Sequence, residues 1–160
     1  MNRPLPLSAL LGLPPWDGHF FGAVSIGDWC LIVEPNGFMG VTPEIIKPLS
    51  ADTRLVSHFR NVNAVKDFYW AEDGDIRLMF EPPFAADRYG SDPDGAVDAI
   101  RRAGFDLECG VQSGKIFFPE DVAARTGAVF ALAENLTGVR LTAQLLTEST
   151  YLCAVAPSPK

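Results

Sequence analysis

The first half of the chain follows the two-residue alternation of apolar and polar positions that is typical of β-strands. Residues 20–25 and 29–34 are apolar stretches separated by turn residues, and they predict a hairpin. Residues 54–61 predict a further strand, on which Val56, His58 and Arg60 share one face. The pattern therefore indicates antiparallel pairing in this half of the chain.

The strongest short hairpin signal is Asp73-Gly74, which lies between two further strand-like stretches. A two-residue loop there predicts a register in which Trp70 opposes Arg77 and Tyr69 opposes Leu78. One face would then mix aromatic and charged side chains: Lys66, Phe68, Trp70, Arg77, Met79 and Glu81. The other face would belong to the core: Tyr69, Ala71, Ile76, Leu78 and Phe80.

Helical spacing dominates after Pro82-Pro83. Asp92 is predicted to cap a helix that ends at Gly104, and residues 119–137 predict a longer helix that Gly127 divides. Thr142 is predicted to cap a short helix, and residues 150–156 predict a final apolar strand.

These elements predict an α+β fold, with one antiparallel, twisted sheet of about five or six strands and helices packed on one face. The length of 160 residues suits a single domain. Within it we expect a Pro-rich N-terminal arm over residues 1–17, a mainly β part over 18–81 and a mainly helical part with a final strand over 82–160.

The net charge and the composition exclude some classes of partner and favour one cellular compartment. The net charge is −7 and no cluster of Lys and Arg stands out along the sequence, so we expect neither nucleic acid nor an anionic membrane surface as a partner. No apolar run approaches the length of a membrane span. Three widely spaced cysteines favour a reducing cytoplasm, and we expect Cys30 and Cys153 to be buried and unreactive.

Signatures of common chemistry are missing from the sequence. It has no glycine-rich phosphate loop, no HExxH, no GxSxG and no paired-cysteine zinc spacing, and only two histidines. We therefore expect no cofactor and no metal site.

His58 and Arg60 are the best candidates for a binding site, because they share a strand face to which Glu34 can be brought by another strand. Arg60 would act as a fork for a carboxylate or another polar group. The predicted site is the face carrying His58, Arg60, Phe68, Trp70 and Arg77, with Glu34 beside it.

Two alternatives stand against this site. The face can be an ordinary exposed strand surface with an ion pair that contributes little. Alternatively, the C-terminal helices, with Val129, Phe130 and Leu136, cover the aromatic residues, and any site then moves to the sheet end at residues 34–40.

Four segments of the chain resemble a family of unknown function found mainly in actinobacteria. They are an EPNG-aromatic-x-G segment at 34–40, an S-x-aromatic-x-NVNAV segment at 57–65, an EDG turn at 72–74 and an LAExLTGVxLT helix at 132–142. The resemblance covers residues 28–156. It implies no established activity, cofactor or catalytic residue, and only an association with secondary-metabolite, immunity or conflict gene neighbourhoods.

Two functions are compatible with the sequence. The first is a non-catalytic binding domain for a protein partner or a small polar ligand. The second is a small enzyme, or an accessory of an enzyme in secondary metabolism, with a polar and aromatic pocket that uses His58 and Arg60.

Overall fold

Residues 4–13, 18–35, 37–61, 66–114 and 121–157 are described by a computed structural model. Asn36 of the EPNG-type segment, residues 62–65 of the NVNAV segment and the expected helix start at 119 lie outside the described residues. The chain divides into two compact units, one made of Met1–Met39 with Leu141–Lys160 and the other of Gly40–Arg140.

The helices and strands alternate along the described residues. In chain order they are β1 (Pro4–Pro6), α1 (Leu7–Leu11), β2 (His19–Ile26), β3 (Trp29–Val33), α2 (Pro43–Leu49), β4 (Arg54–Arg60), β5 (Lys66–Glu72), β6 (Asp75–Phe80), β7 (Arg88–Tyr89), α3 (Val97–Arg102), α4 (Asp121–Thr137), α5 (Ala143–Glu148) and β8 (Thr150–Ala156). Short 3₁₀ turns occupy Met39–Val41 and Val111–Ser113.

The first unit is built on an antiparallel sheet in the order β1-β8-β2-β3. One face of this sheet packs against α1, because β2 and β8 direct Phe20, Tyr151 and Cys153 towards Leu10. The predicted hairpin of β2 and β3, the Thr142 cap of α5 and the final strand are all confirmed. The Thr142 hydroxyl accepts a hydrogen bond from the Leu145 amide at 3.0 Å.

The second unit is built on an antiparallel sheet in the order β4-β5-β6-β7. Both faces of this sheet are covered. On one face, β5 and β6 pack against α3 and α4 in a core whose fully buried members include Phe68, Leu78, Ile100 and Leu132. On the other face, Tyr69 and Ala71 pack against Ile46 of α2. The described residues thus form two four-stranded sheets, whereas the sequence predicted one sheet with helices on one face.

The hairpin between β5 and β6 has the predicted two-residue turn but a different register. Asp73 and Gly74 both have positive φ, 55° and 79°, as a tight turn of this kind requires. A β-bulge opposite Trp70/Ala71 then shifts the pairing, so that Trp70 opposes Leu78 instead of Arg77. The predicted face assignment is therefore wrong for Leu78, Met79 and Phe80, whereas Ile76 shares the face of Tyr69 and Ala71 as expected.

The bulge places Leu78 and Phe80 on the same side as Phe68 and Trp70. Because both faces of the sheet are apolar, the hydrophobic pattern alone does not determine the register. The extra residue of the bulge is Arg77, whose charge would otherwise stand directly opposite Trp70.

Three smaller predictions also change. The helix expected from Asp92 begins at Val97, because residues 93–96 form a turn first. Gly127 does not divide α4, which is continuous over seventeen residues. Cys30 is exposed on β3, while Cys153 is buried as expected, and burial raises the pKa of its thiol.

Candidate functional site

The pairing of β4 with β5 brings the two predicted sets of side chains onto one face. Val56 opposes Trp70, His58 opposes Phe68 and Arg60 opposes Lys66. Since alternate residues of a strand share a face, all six project to the side on which α4 packs. The predicted merging of the His58 strand with the Phe68 strand is confirmed.

Phe68 and Trp70 nevertheless do not form an exposed surface. Phe68 is fully buried and Trp70 is only 9% exposed, because α3 and α4 cover them. The alternative expectation, in which the C-terminal helices pack on this face, is the one that holds. The two aromatic side chains stabilise the fold by about 2 kcal/mol each, and an approaching partner does not reach them.

Opposite charges meet at one end of the β4–β5 pair. Arg54 opposes Glu72, and its guanidinium donates to the Glu72 carboxylate at 2.8 Å and to the Leu136 carbonyl at 2.9 Å. The hydrogen bond from Arg54 lowers the pKa of the Glu72 carboxyl, against the effect of burial. The same guanidinium lies 5.7 Å from the centre of the Trp70 ring. Opposite charges thus compensate each other at this end of the pair, as in a structural ion pair.

Like charges meet at the other end. Arg60 opposes Lys66, and a cross-strand pair of like charges is destabilising. Lys66 is only 6% exposed, and none of the ion pairs between described residues includes Lys66 or Arg60. The neighbouring Asp67 faces the opposite side of β5, so its carboxylate is not directed at the ammonium.

A third cation comes from helix α4. Burial lowers the pKa of the Lys66 ammonium, and the positive charges of Arg125 and then Arg60 lower it further. Arg60 stands opposite Lys66 on the neighbouring strand and Arg125 acts on the Lys66 ammonium electrostatically, and we call these three residues the basic cluster. Arg60 is exposed at the strand end, whereas Lys66 lies beneath the surface.

His58 lies beside the basic cluster. Its ring meets Phe130 of α4 edge-on, with ring centres 6.0 Å apart, and its buried Nε2 has no hydrogen-bond partner among the described residues. Burial, followed by the charges of Lys66 and Arg60, lowers the pKa of His58 to about 4. The imidazole is therefore neutral at pH 7 and adds a hydrogen-bonding group without adding charge.

Sequence reasoning identified His58 and Arg60 but missed Lys66 and Arg125 as members of the site. Lys66 was predicted on the same face as Glu81, but β6 ends at Phe80 and Glu81 is exposed. Arg125 is 59 positions away from Lys66 in the sequence (125 − 66), and only the packing of α4 on the sheet brings them together. Arg77, the remaining predicted residue of this sheet, lies at the bulge, 3.8 Å from the Asp75 carboxylate.

Glu34 belongs to the other unit and is fully engaged there. One carboxylate oxygen lies 3.0 Å from His19 Nδ1, and the other accepts the Met39 amide hydrogen at 2.8 Å. The carboxylate lies against Gly37, where a Cβ atom would overlap it. The Glu34 side chain thus folds back towards Gly37, which is a structural explanation for both residues.

The described residues contain neither a group of side chains that could hold a metal ion nor a membrane-spanning helix. No group of three or more His, Cys, Asp or Glu side chains in them comes together to hold a metal ion. None of the described helices combines the length and the apolar character needed to cross a membrane.

Comparison with known proteins gives one match. A model of a family of unknown function, DUF6461, matches residues 15–160. No curated protein and no solved structure matches the chain.

Proposed function

The chain belongs to DUF6461, a family of unknown function, and we propose that it is a non-catalytic binding domain that takes a small anionic ligand at the basic cluster. The observation that carries the proposal is Lys66, a residue that is only 6% exposed and stands opposite Arg60, with no acidic partner among the described residues. The exposure of Arg60 leaves the cluster open to solvent at its outer side.

Removing the positive charge of Lys66 from water costs free energy, and this cost is the reason why the arrangement favours an anionic ligand. An ammonium removed from water is destabilising unless a counter-charge compensates it. The like-charged Arg60 and Arg125 increase that cost, and they also lower the pKa of Lys66. A bound anion compensates the charge of Lys66 and raises the pKa of its ammonium. The free energy that is lost on folding is then recovered when the anion binds.

The enzyme alternative has weaker support. His58, the candidate general base, has a pKa of about 4, well below the operating pH at which an efficient base is poised. A neutral imidazole beside the cations Lys66 and Arg60 is better suited to donating a hydrogen bond to an anion than to removing a proton. The protein-partner alternative relied on exposed Phe68 and Trp70, which are core residues.

We also propose a cytoplasmic location. Cys30 and Cys153 form no disulfide, as a reducing compartment favours.

Calorimetric titration with inorganic phosphate tests the proposal, with sodium chloride held at a fixed ionic strength. The wild type should bind, and Lys66→Met should bind at least about tenfold more weakly, because one of three cations is gone. Lys47→Met is the matched control: Lys47 is exposed on α2, and its loss should leave the affinity unchanged. Equal affinities of the wild type and Lys66→Met would refute a site at Lys66.

A further inference from the structure

We infer that strand β3 is an interaction edge, at which a second copy of this chain adds its own β3 in antiparallel orientation about a two-fold axis. β3 spans Trp29–Val33 and lies at one end of the sheet order β1-β8-β2-β3. It belongs to the first unit, whereas the basic cluster belongs to the second, so the inference does not rest on the proposed function.

The outer edge of β3 carries backbone groups that no described segment binds. Ile26 and Trp29 flank a two-residue turn in which Gly27 has a φ of 59°, and the residues that flank such a turn bond to each other. Alternate residues of β3 therefore bond to β2, and the N–H and C=O groups of Cys30 and Ile32 point away from it. No backbone hydrogen bond from another part of the described chain reaches these two residues, and both are exposed.

The other three edges of the two described sheets carry features that hinder pairing with a further strand. β1 has three residues, of which Pro4 and Pro6 have no N–H to donate. β7 has two residues, and β4 has an arginine at each end, Arg54 and Arg60. Very short strands, prolines and charged side chains are the usual protections of a sheet edge. β3, with the sequence WCLIV, has no charge and no proline, so it is the unprotected edge among the described strands.

A second copy fits this edge because β3 is complementary to itself. In the register centred on Leu31, all five residues of the strand overlap, and Cys30 of each copy stands opposite Ile32 of the other. These are the two residues whose backbone groups point outwards, so their N–H and C=O groups meet across the two-fold axis. Trp29 then stands opposite Val33, and an apolar residue faces an apolar residue along the whole strand.

Apolar side chains also reach the edge on both faces of the sheet. On the outer face, Ile32 and Leu152 flank Ala23 in a row across three strands, and they are 42% and 52% exposed. On the face that packs on α1, Leu31 and Val33 are partly buried members of the core. A second β3 covers Ile32 and extends both faces with apolar side chains, which a polar peptide strand would not do.

The pairing stops at a dimer. Each copy contributes one unprotected edge, and a two-fold axis uses both of these edges at once. On its opposite side the sheet ends at β1, whose prolines block a further strand. Two four-stranded sheets therefore join into one continuous sheet, and no larger assembly is expected.

Sedimentation of the full chain over a concentration series that reaches about 1 mM tests the inference. The wild type should contain monomers and dimers only. Ile32→Lys should raise the dissociation constant of the dimer at least about tenfold, because the two-fold axis places the new charge in the interface twice. Leu152→Lys is the matched control: Leu152 is exposed on the same face of the sheet but lies on the inner strand β8, so its replacement should leave the dissociation constant unchanged.

Cys30 reports the register of the wild-type dimer. In the register centred on Leu31, the two Cys30 residues are diagonal neighbours with Cα atoms about 7–8 Å apart. A short bifunctional maleimide should therefore link two wild-type chains, and Cys30→Ser should not be linked. Cys109 and Cys153 are buried and do not compete for the reagent.

Each contrary outcome overturns the inference. A wild type that stays monomeric over the whole series shows that β3 does not pair with itself, and assemblies larger than a dimer show that the contact is not two-fold. If Leu152→Lys weakens the dimer as much as Ile32→Lys does, the copies meet through their sheet faces instead. A dimer that the reagent does not link at Cys30 uses another surface, and this measurement on the wild type holds even if Ile32→Lys fails to fold.

Discussion

At the scale of single residues, the informative contrast lies within one pair of strands. Arg54 and Glu72 neutralise each other across β4 and β5, whereas Arg60 and Lys66 repel each other at the far end. Both pairs are on the same face and in the same register. The first pair has a structural explanation, and the second is the pair for which we propose an anionic ligand.

His58 gives a prediction about pH. Its pKa in the folded protein is about 4, below the 6.5 of an unperturbed histidine, so between these values the unfolded chain binds a proton that the folded chain does not. The stability contributed by neutral His58 is therefore fully present above pH 6.5 and is lost as the pH falls towards 4. His58→Gln removes this dependence.

Urea denaturation of wild type and His58→Gln from pH 7 to pH 4 measures the effect. The free energy of unfolding of the wild type should fall relative to the variant by as much as about 3 kcal/mol. The difference between the two curves isolates His58 from the carboxylates that titrate in the same range. Parallel curves would show that the imidazole is not held neutral by Lys66, Arg60 and its burial.

At the scale of elements, the turn between β5 and β6 was predictable, but the register in which the two strands pair was not. The Asp-Gly dipeptide favours positive φ, which is a local property of the sequence. The bulge at Arg77 depends on which side chains fill the two cores, and both faces of β5 and β6 are apolar enough for either register.

The turn can be tested with a pair of glycines. Gly74→Ala should lower the free energy of unfolding by about 1 kcal/mol, because an L-residue is strained at a φ of 79°. Space is not the cause, since a Cβ there meets only the Lys47 carbonyl at 3.7 Å.

Gly127→Ala is the control, and it should change the free energy of unfolding in the opposite direction. Gly127 lies within α4 and a Cβ there meets nothing within 4 Å, so alanine should raise the stability by about 0.5–1 kcal/mol. Chemical denaturation followed by circular dichroism measures both variants. A loss at Gly127, or no loss at Gly74, would contradict the backbone geometry of these two elements.

At the scale of the whole molecule, the sequence revealed the element types but not their grouping into two sheets. The final strand β8 was predicted with its correct bounds, yet it pairs with β1 and β2 at the other end of the sequence. A period-2 pattern indicates that a segment is a strand, but it does not indicate which strand pairs with it. For the same reason His58 and Arg60 could be placed on a common face, while Arg125 on α4 could not be added to them.

The single-domain prediction leads to an expectation about unfolding. The chain leaves the first unit after Met39 and returns at Leu141, so pairing β8 with β2 closes a long loop, and this closure costs less conformational entropy when the intervening segment is folded. We expect one cooperative transition, with the calorimetric enthalpy of unfolding equal to the van't Hoff enthalpy. Two resolved transitions, or a calorimetric enthalpy well above the van't Hoff value, would show that the units unfold independently.

The central claim is that Lys66 is a buried charge that a bound anion compensates, and a stability cycle tests it most directly. The free energy of unfolding is measured for wild type and Lys66→Met, each in a phosphate-free buffer and in saturating phosphate at the same ionic strength. In the phosphate-free buffer Lys66→Met should be more stable than wild type, by about 1 kcal/mol, because it removes an uncompensated ammonium from a nearly buried position. Phosphate should stabilise the wild type and not the variant, so that the difference shrinks or reverses. A Lys66→Met protein that is less stable than wild type without phosphate, and gains as much from phosphate, would contradict the account.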